Sequence, residues 1–107
     1  MVQIGEESNG SRIDLPNGET LELCLSENRT TGYKWVLESS SDVCVLLNDS
    51  FQPGHAPGEP GKHCWQFRAE RAGSGAIELS YRRTWSAEKA AARAFKLTIE
   101  VSEGIPS

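Results

Sequence analysis

The fold class is decided by the segment Thr20-Leu21-Glu22-Leu23-Cys24-Leu25-Ser26, in which polar and apolar residues alternate without a break. Successive side chains of a β-strand point to opposite sides, so this period of two predicts a strand with a leucine face and a polar face. We expect the leucine face to pack against a core and the polar face to meet solvent.

Alternation of the same period recurs along the rest of the chain, which predicts a domain built from strands. The expected core faces are Tyr33, Trp35 and Leu37; Val43, Val45 and Leu47, a less regular set because Cys44 and Leu46 fill the other face; Trp65, Phe67 and Ala69; Ile77, Leu79 and Tyr81; and Phe95, Leu97, Ile99 and Val101. A weaker strand at Arg12 to Leu15 brings the total to about seven, the pattern of an all-β antiparallel sandwich.

Turn-forming residues separate the strands and mark the loops between them. If each strand reverses the direction of the one before, the connections after the second, fourth and sixth strands emerge at one end of the sandwich. This places the segments Asn28 to Gly32, Phe51 to Lys62 and Arg82 to Ala92 side by side. The alanine-rich segment Ser86 to Ala94 predicts at most one or two helical turns before the last strand.

Length and charge limit the possible functions. The chain has 107 residues, which is enough for one core, so residues 1–107 are expected to form a single domain. Eleven basic against 15 acidic side chains leave a net charge of -4, the opposite of what nucleic acid or an anionic membrane surface attracts. No apolar run approaches the roughly 20 residues of a membrane helix. We therefore expect neither nucleic acid nor a membrane as a partner.

Two features bear on the cellular compartment. The segment Met1 to Glu7 has neither the basic start nor the apolar stretch of a secretory signal, so we expect a cytoplasmic protein, or a periplasmic or secreted one if a signal has been removed. Cys24, Cys44 and Cys64 cannot all pair within one chain and form no Cys-x-x-Cys, which favours reduced thiols. An antibody-type bridge from Cys24 to the sixth strand is disfavoured, because Cys24 lies on the polar face and that strand has no cysteine.

The histidines and cysteines do not predict a metal or catalytic site. The spacing of His55, His63, Cys44 and Cys64 fits no structural zinc motif, and the neighbours His63 and Cys64 point to opposite faces of a strand. Two histidines near turns, beside a passive thiol, do not supply the positioned base that Cys/His catalysis needs. We expect no catalytic residue, no metal and no cofactor.

The clustered loops have a composition suited to binding. Thr30-Thr31-Gly32 ends in a glycine that permits a positive φ or a close backbone approach, and Pro57 to Gly61 is stiffened by its prolines. Tyr81-Arg82-Arg83-Thr84-Trp85 brings arginine and tryptophan, both enriched at binding hot spots, to the end of a strand. The residues alone leave two interpretations open: a binding site, or a simple turn at Gly32 with Trp85 covering the core.

These loops resemble those of the chagasin-like inhibitors of papain-type cysteine peptidases. Asn28-Arg29-Thr30-Thr31-Gly32-Tyr33 is similar to the family's Asn-Pro-Thr-Thr-Gly-aromatic loop. Gly58 to Gly61 looks like the family's glycine-rich loop, which precedes a strand of alternating aromatics. Tyr81-x-Arg83-Thr84-Trp85 is similar to a strand that ends in tyrosine and leads into Arg-Pro-Trp. The three matches occur in the family's order and spacing.

The resemblance implies an immunoglobulin-like sandwich that is no enzyme but a reversible, non-covalent inhibitor, monomeric when free, whose partner is a papain-like cysteine peptidase. Thr30, Thr31 and Gly32 would cover the catalytic cysteine and histidine, with Tyr33 in support. Arg83 and Trp85 would contact the primed-side wall, and the glycine-rich loop the opposite wall. The implied peptidase-binding residues are Asn28, Arg29, Thr30, Thr31, Gly32, Tyr33, Gly58, Glu59, Pro60, Gly61, Arg83, Thr84 and Trp85.

Arg29 and Thr84 stand where the family pattern has proline. Without the fixed φ of proline, each loop is expected to be looser, at a cost of about 0.5–1 kcal/mol. We also expect a shift in the preferred peptidase and an acidic partner for Arg29 on the target. The alternative hypothesis is an immunoglobulin-like module that binds carbohydrate or builds a surface assembly, with Trp85 as the platform for a sugar ring.

Overall fold

The computed structural model describes residues 1–56, 58–83 and 93–103, and these form two four-stranded β-sheets. The strands are β1 (Val2–Ile4), β2 (Arg12–Pro16), β3 (Thr20–Glu27), β4 (Tyr33–Ser39), β5 (Cys44–Gln52), β6 (Gly61–Ala69), β7 (Gly73–Arg83) and β8 (Arg93–Ser102). Two single 3₁₀ turns span Glu6–Ser8 and Arg29–Thr31. No helix in the described ranges is long and apolar enough to cross a membrane.

One sheet has the strand order β1-β3-β6-β5 and the other β2-β8-β7-β4. The predicted all-β sandwich is confirmed, with one strand more than expected, because the three residues of β1 are too few to show a period. Four strand pairs are antiparallel, β3–β6, β5–β6, β4–β7 and β7–β8. The other two pairs, β1–β3 and β2–β8, are parallel. β2, which lies between β1 and β3 in the chain, belongs to the other sheet. β3 then returns to the first sheet and runs in the same direction as β1.

The core lies between the sheets and is built from the faces that the alternation predicts. Leu21, Leu23 and Leu25 of β3 are at most 1% exposed, and Leu23 lies opposite Trp65 of β6. The other buried apolar side chains are Leu15, Trp35, Val43, Cys44, Phe67, Ala69, Ile77, Leu79, Phe95, Leu97, Ile99 and Val101. Tyr33, Leu37 and Tyr81, also expected inside, are only partly buried.

The expected core face of β5 is wrong in two of its three positions. Val45 is 43% and Leu47 44% exposed, whereas Cys44, assigned to the other face, is buried. The register against β6 shifts between Leu46 and Asn48, and β5 is the edge strand of its sheet, so strict alternation has no core on which to act. The strand also continues to Gln52, which shortens the loop before β6 to residues 53–60.

Cys24 and Cys64 form a disulfide, which corrects the expectation of three reduced thiols. The two residues lie directly opposite each other on β3 and β6, with Cα atoms 4.1 Å apart. Both side chains point away from the core. The position of Cys24 on the polar face argues against a disulfide between the two sheets, but it allows a disulfide between neighbouring strands of one sheet. Cys44 stays a free thiol, and burial raises its pKa.

Candidate functional site

The loop between β3 and β4, residues 28–32, is a closed turn. Arg29–Thr31 makes a 3₁₀ turn in which the Thr31 hydroxyl donates to the Asn28 carbonyl at 2.7 Å. The Gly32 N–H donates to the Arg29 carbonyl at 3.1 Å, and Gly32 has a φ of +82°. L-residues with a side chain rarely adopt this φ, so glycine is required here. The loop therefore presents a compact ridge instead of an extended peptide.

Glu27, the last residue of β3, is fully buried beside this loop. Its carboxylate accepts hydrogen bonds from the Trp35 backbone N–H at 2.6 Å, from Arg29 Nε at 2.6 Å and from His63 Nδ1 at 2.9 Å. Burial opposes ionisation, but the bonds from Arg29, His63 and Trp35 outweigh it and hold the Glu27 pKa below its usual value. The carboxylate thus joins the two strands that flank the loop.

Sequence reasoning missed Glu27, although a signal was present. Glu27 has the same parity as Leu21, Leu23 and Leu25, so an acidic residue continues the core face of β3. His63 likewise shares the core face of β6 with Trp65. Two polar residues with inward parity on different strands could have been recognised as a buried pair, because such groups need each other as partners.

His63 is a buried residue of β6. It is 5% exposed, its ring stacks on Trp65 with centroids 4.0 Å apart, and Nε2 contacts Asp49 of β5. Its neighbour Cys64 points to the opposite face, as predicted, and joins the disulfide. Within residues 1–56, 58–83 and 93–103, no three His, Cys, Asp or Glu side chains are grouped to hold a metal ion.

Arg29 is anchored within its own chain. Besides its bond to Glu27, its guanidinium carbon lies 3.8 Å from the ring centroid of Phe51 on β5, a cation–π contact. The side chain is half exposed at 48%, so one side of the guanidinium remains open to solvent. The loop lacks the proline of the family pattern, but it carries an ionic and aromatic anchor at the same position.

Arg83, at the end of β7, supports the β3–β4 loop from its other side. It pairs in register with Tyr33 on β4, and its guanidinium carbon lies 4.7 Å from the centroid of that ring. Arg83 Nε donates to the Thr31 carbonyl at 3.3 Å. Tyr33 in turn stacks on Tyr81, whose hydroxyl accepts the Asn28 N–H. Tyr33 therefore lies beneath the loop and packs against Arg83 and Tyr81.

The loop between β5 and β6 is held by its own side chains. The Glu59 carboxylate accepts the backbone N–H groups of His55 at 3.1 Å and Ala56 at 3.3 Å, and Gly58 has a φ of +85°. A Cβ at Gly61 would overlap the Gln52 carbonyl oxygen and the Phe51 ring, so the end of this loop also requires glycine. These contacts preform the loop, together with the hydrogen bond from the Glu59 N–H to the Ala56 carbonyl at 3.1 Å.

The two loops meet at one end of the sandwich, as the strand-direction argument predicts. Asn28 and Arg29 from one loop and Gly58, Glu59 and Gly61 from the other line a common cavity of about 320 Å³. Thr30 lies in the 3₁₀ turn, and Pro60 is exposed in the second loop. Thr84 and Trp85 fall outside the described residues, as does most of the expected helical segment; Arg93 and Ala94 instead begin β8.

Comparison with known proteins gives matches over nearly the whole chain. The model of the Chagasin family peptidase inhibitor I42 matches residues 14–99. Amoebiasin-1 of Entamoeba histolytica is 35% identical over 103 residues, which cover 94% of this chain and 99% of that protein. Two solved structures share the fold.

The first is a cysteine protease inhibitor from Entamoeba histolytica, with a TM-score of 0.85 at 22% identity, covering 94% of this chain and 95% of that one. The second is PbICP-C, solved in complex with falcipain-2, with a TM-score of 0.60 at 21% identity, covering 94% of this chain and 88% of that one. At these identities the two structures establish a common architecture, and residue roles have to be argued from the geometry above.

Proposed function

Because this chain belongs to the chagasin family of peptidase inhibitors, whose members are inhibitors and not enzymes, we propose that it inhibits papain-like cysteine peptidases reversibly and without covalent chemistry. The inhibitor would occlude the active-site cleft with the β3–β4, β5–β6 and β7–β8 loops. The observation that supports this most directly is the shared cavity between the first two loops, with Arg83 at the start of the third.

In this proposal the segment Thr30-Thr31-Gly32 of the β3–β4 loop covers the catalytic cysteine and histidine. A closed turn with a positive φ at Gly32 does not lay an extended peptide bond along the nucleophile, so the chain would bind without being cleaved. Arg83 and Trp85 would contact one wall of the cleft. Gly58, Glu59, Pro60 and Gly61 would contact the other wall.

Preformed loops make tight binding physically plausible without a covalent bond. Docking of the β3–β4 loop would order few side chains, because Glu27, Arg83 and Tyr81 already hold its ends and its middle. Association costs less conformational entropy when the bound conformation exists beforehand. Three loops together would form an interface of about 800 Å² on each partner, a size that supports stable complexes.

The proposal is tested by calorimetric titration of papain in two forms. One sample is the free enzyme, and the other carries a covalent peptidyl inhibitor that fills its cleft. We expect one-to-one binding to free papain and none to the blocked enzyme. Equal binding to both forms would place the interface outside the cleft and overturn the proposal. The alternative of a carbohydrate-binding module rests on Trp85, and nothing in the described residues favours it.

A further inference from the structure

A row of four polar side chains, the Glu27 network, lies beside the β3–β4 loop: Arg29, Glu27, His63 and Asp49. Glu27 Oε2 accepts from Arg29 Nε, Glu27 Oε1 contacts His63 Nδ1, and His63 Nε2 contacts Asp49. Both oxygens of the buried carboxylate therefore have a partner, which is how a buried acidic group is tolerated. The row connects the loop to three different strands, β3, β5 and β6.

The network closes a gap that the fold leaves open. β3 and β4 belong to different sheets, so no ladder of backbone hydrogen bonds joins the two strands at the base of their loop. Instead, the Glu27 carboxylate takes the backbone N–H of Trp35, and the Trp35 indole N–H donates to the Ser26 carbonyl at 3.0 Å. The side chains of Glu27 and Trp35 thus connect the two strands, as backbone hydrogen bonds do in a β-hairpin.

His63 holds Glu27 from the side opposite Arg29. Its Nδ1 contacts Glu27 of β3 and its Nε2 contacts Asp49 of β5, so the ring links two neighbouring strands of the sheet. The ring is flanked by Trp65 and Phe51, which fix its position. The Glu27 carboxylate therefore has a partner on each of its oxygens, Arg29 on one and His63 on the other.

We propose that the Glu27 network positions the β3–β4 loop for peptidase binding, with Glu27 as the positioning residue and Arg29 in the role that proline has in the family pattern. This inference rests on the proposed function. A proline limits the loop through its own φ, whereas here a side-chain anchor from Arg29 to Glu27 and Phe51 limits it. Affinity for the peptidase then depends on the buried Glu27 carboxylate, which need not contact the peptidase.

A double-mutant cycle on Glu27 and Arg29 tests the proposal. Arg29 begins the 3₁₀ turn, where proline is well tolerated, so Arg29→Pro installs the alternative constraint. We expect Glu27→Gln to raise the inhibition constant for papain about tenfold in the native background and less than about threefold in the Arg29→Pro background. Equal effects in both backgrounds, or no effect in either, would overturn the proposal.

A second readout separates this inference from the proposed function. The amide hydrogens of Thr31 and Gly32 are bonded within the turn, and their exchange with solvent is measurable without any peptidase. We expect about tenfold faster exchange in Glu27→Gln and recovery in the Glu27→Gln/Arg29→Pro double variant. Unchanged exchange in Glu27→Gln would overturn the inference even if the native chain inhibits papain. Changed exchange in a chain that does not inhibit would reject the proposed function alone.

A matched variant completes the test. Glu22→Gln, the same substitution on the outward face of β3, should leave turn exchange and inhibition unchanged. A tenfold change in exchange or inhibition by Glu22→Gln would show that the loss of any negative charge on β3 has this effect, and it would overturn the proposal.

Discussion

The carboxylate of Glu27 accepts the backbone N–H of Trp35 at 2.6 Å, across the loop where the chain passes from one sheet to the other. This bond links the last residue of β3 to a core tryptophan of β4, and both residues are buried. The packing of the core and the conformation of the β3–β4 loop therefore depend on the same carboxylate. A change at the buried carboxylate should be visible both in stability and in inhibition.

The first prediction concerns stability and pH. The pKa of Glu27 is lowered in the folded state from its ordinary value of 4.5, so its ionised form contributes stability above that value, and the contribution is lost as the pH falls through the lowered pKa. We expect the free energy of unfolding, measured with urea from neutral pH downward, to fall less steeply in Glu27→Gln than in the native chain. Glu22→Gln should keep the native slope, and a native slope in Glu27→Gln would contradict the assignment.

The second prediction concerns the disulfide. Cys24 and Cys64 are 40 residues apart, and a cross-link that closes a loop of this length removes unfolded-state entropy worth about 4 kcal/mol at most. We expect the Cys24→Ser/Cys64→Ser double variant to lose about 2–4 kcal/mol in the free energy of unfolding. The double variant and the reduced native chain should have nearly the same free energy of unfolding. No loss of stability in the double variant would show that the bridge does not constrain the chain.

The third prediction concerns thiol counts. Cys44 is 6% exposed, and burial raises the pKa of its thiol, so little reactive thiolate is available in the folded chain. Alkylation followed by mass spectrometry should add no label to the folded protein, one label after unfolding without reductant, and three after unfolding with reductant. Three labels without reductant would disprove the disulfide. Rapid labelling of the folded chain would disprove the burial of Cys44.

The fourth prediction concerns the contact loops. Thr31→Ala, Arg83→Ala and Trp85→Ala should each weaken inhibition of papain by about tenfold or more, as expected of hot-spot residues, with small changes in melting temperature. Arg71→Ala removes an arginine between β6 and β7, at the opposite end of β6 from the site, where it pairs with Asp42. This control should inhibit like the native chain. Native inhibition by all three loop variants would remove these residues from the interface.

Much of the fold could be predicted from alternation, because inward parity reports burial wherever a strand has a core on one side. The leucines of β3 and the aromatics Trp65 and Phe67 of β6 follow this rule. Alternation failed for Val45 and Leu47, since an edge strand with a shifted register has no such constraint. It also could not detect β1, which has three residues.

The position of the candidate loops could be predicted from the sequence, but the buried side chains and the disulfide beside them could not. The alternating direction of the strands predicts that the first two loops lie together, and the structure has them line one cavity. The residues that contact a peptidase stay a prediction from the motif resemblance. The disulfide and the Glu27 network both required knowledge of which strands are neighbours. Cys24 and Cys64, or Glu27 and His63, are far apart in sequence and become partners only through the pairing of β3 with β6.

The most direct test of the central claim is a titration of papain activity with the intact native chain. At an enzyme concentration well above the dissociation constant, we expect activity to fall linearly to zero at an equimolar amount of inhibitor and to return on dilution. Mass spectrometry of the recovered chain should find it uncleaved. Full papain activity at a micromolar excess of folded protein would contradict the account.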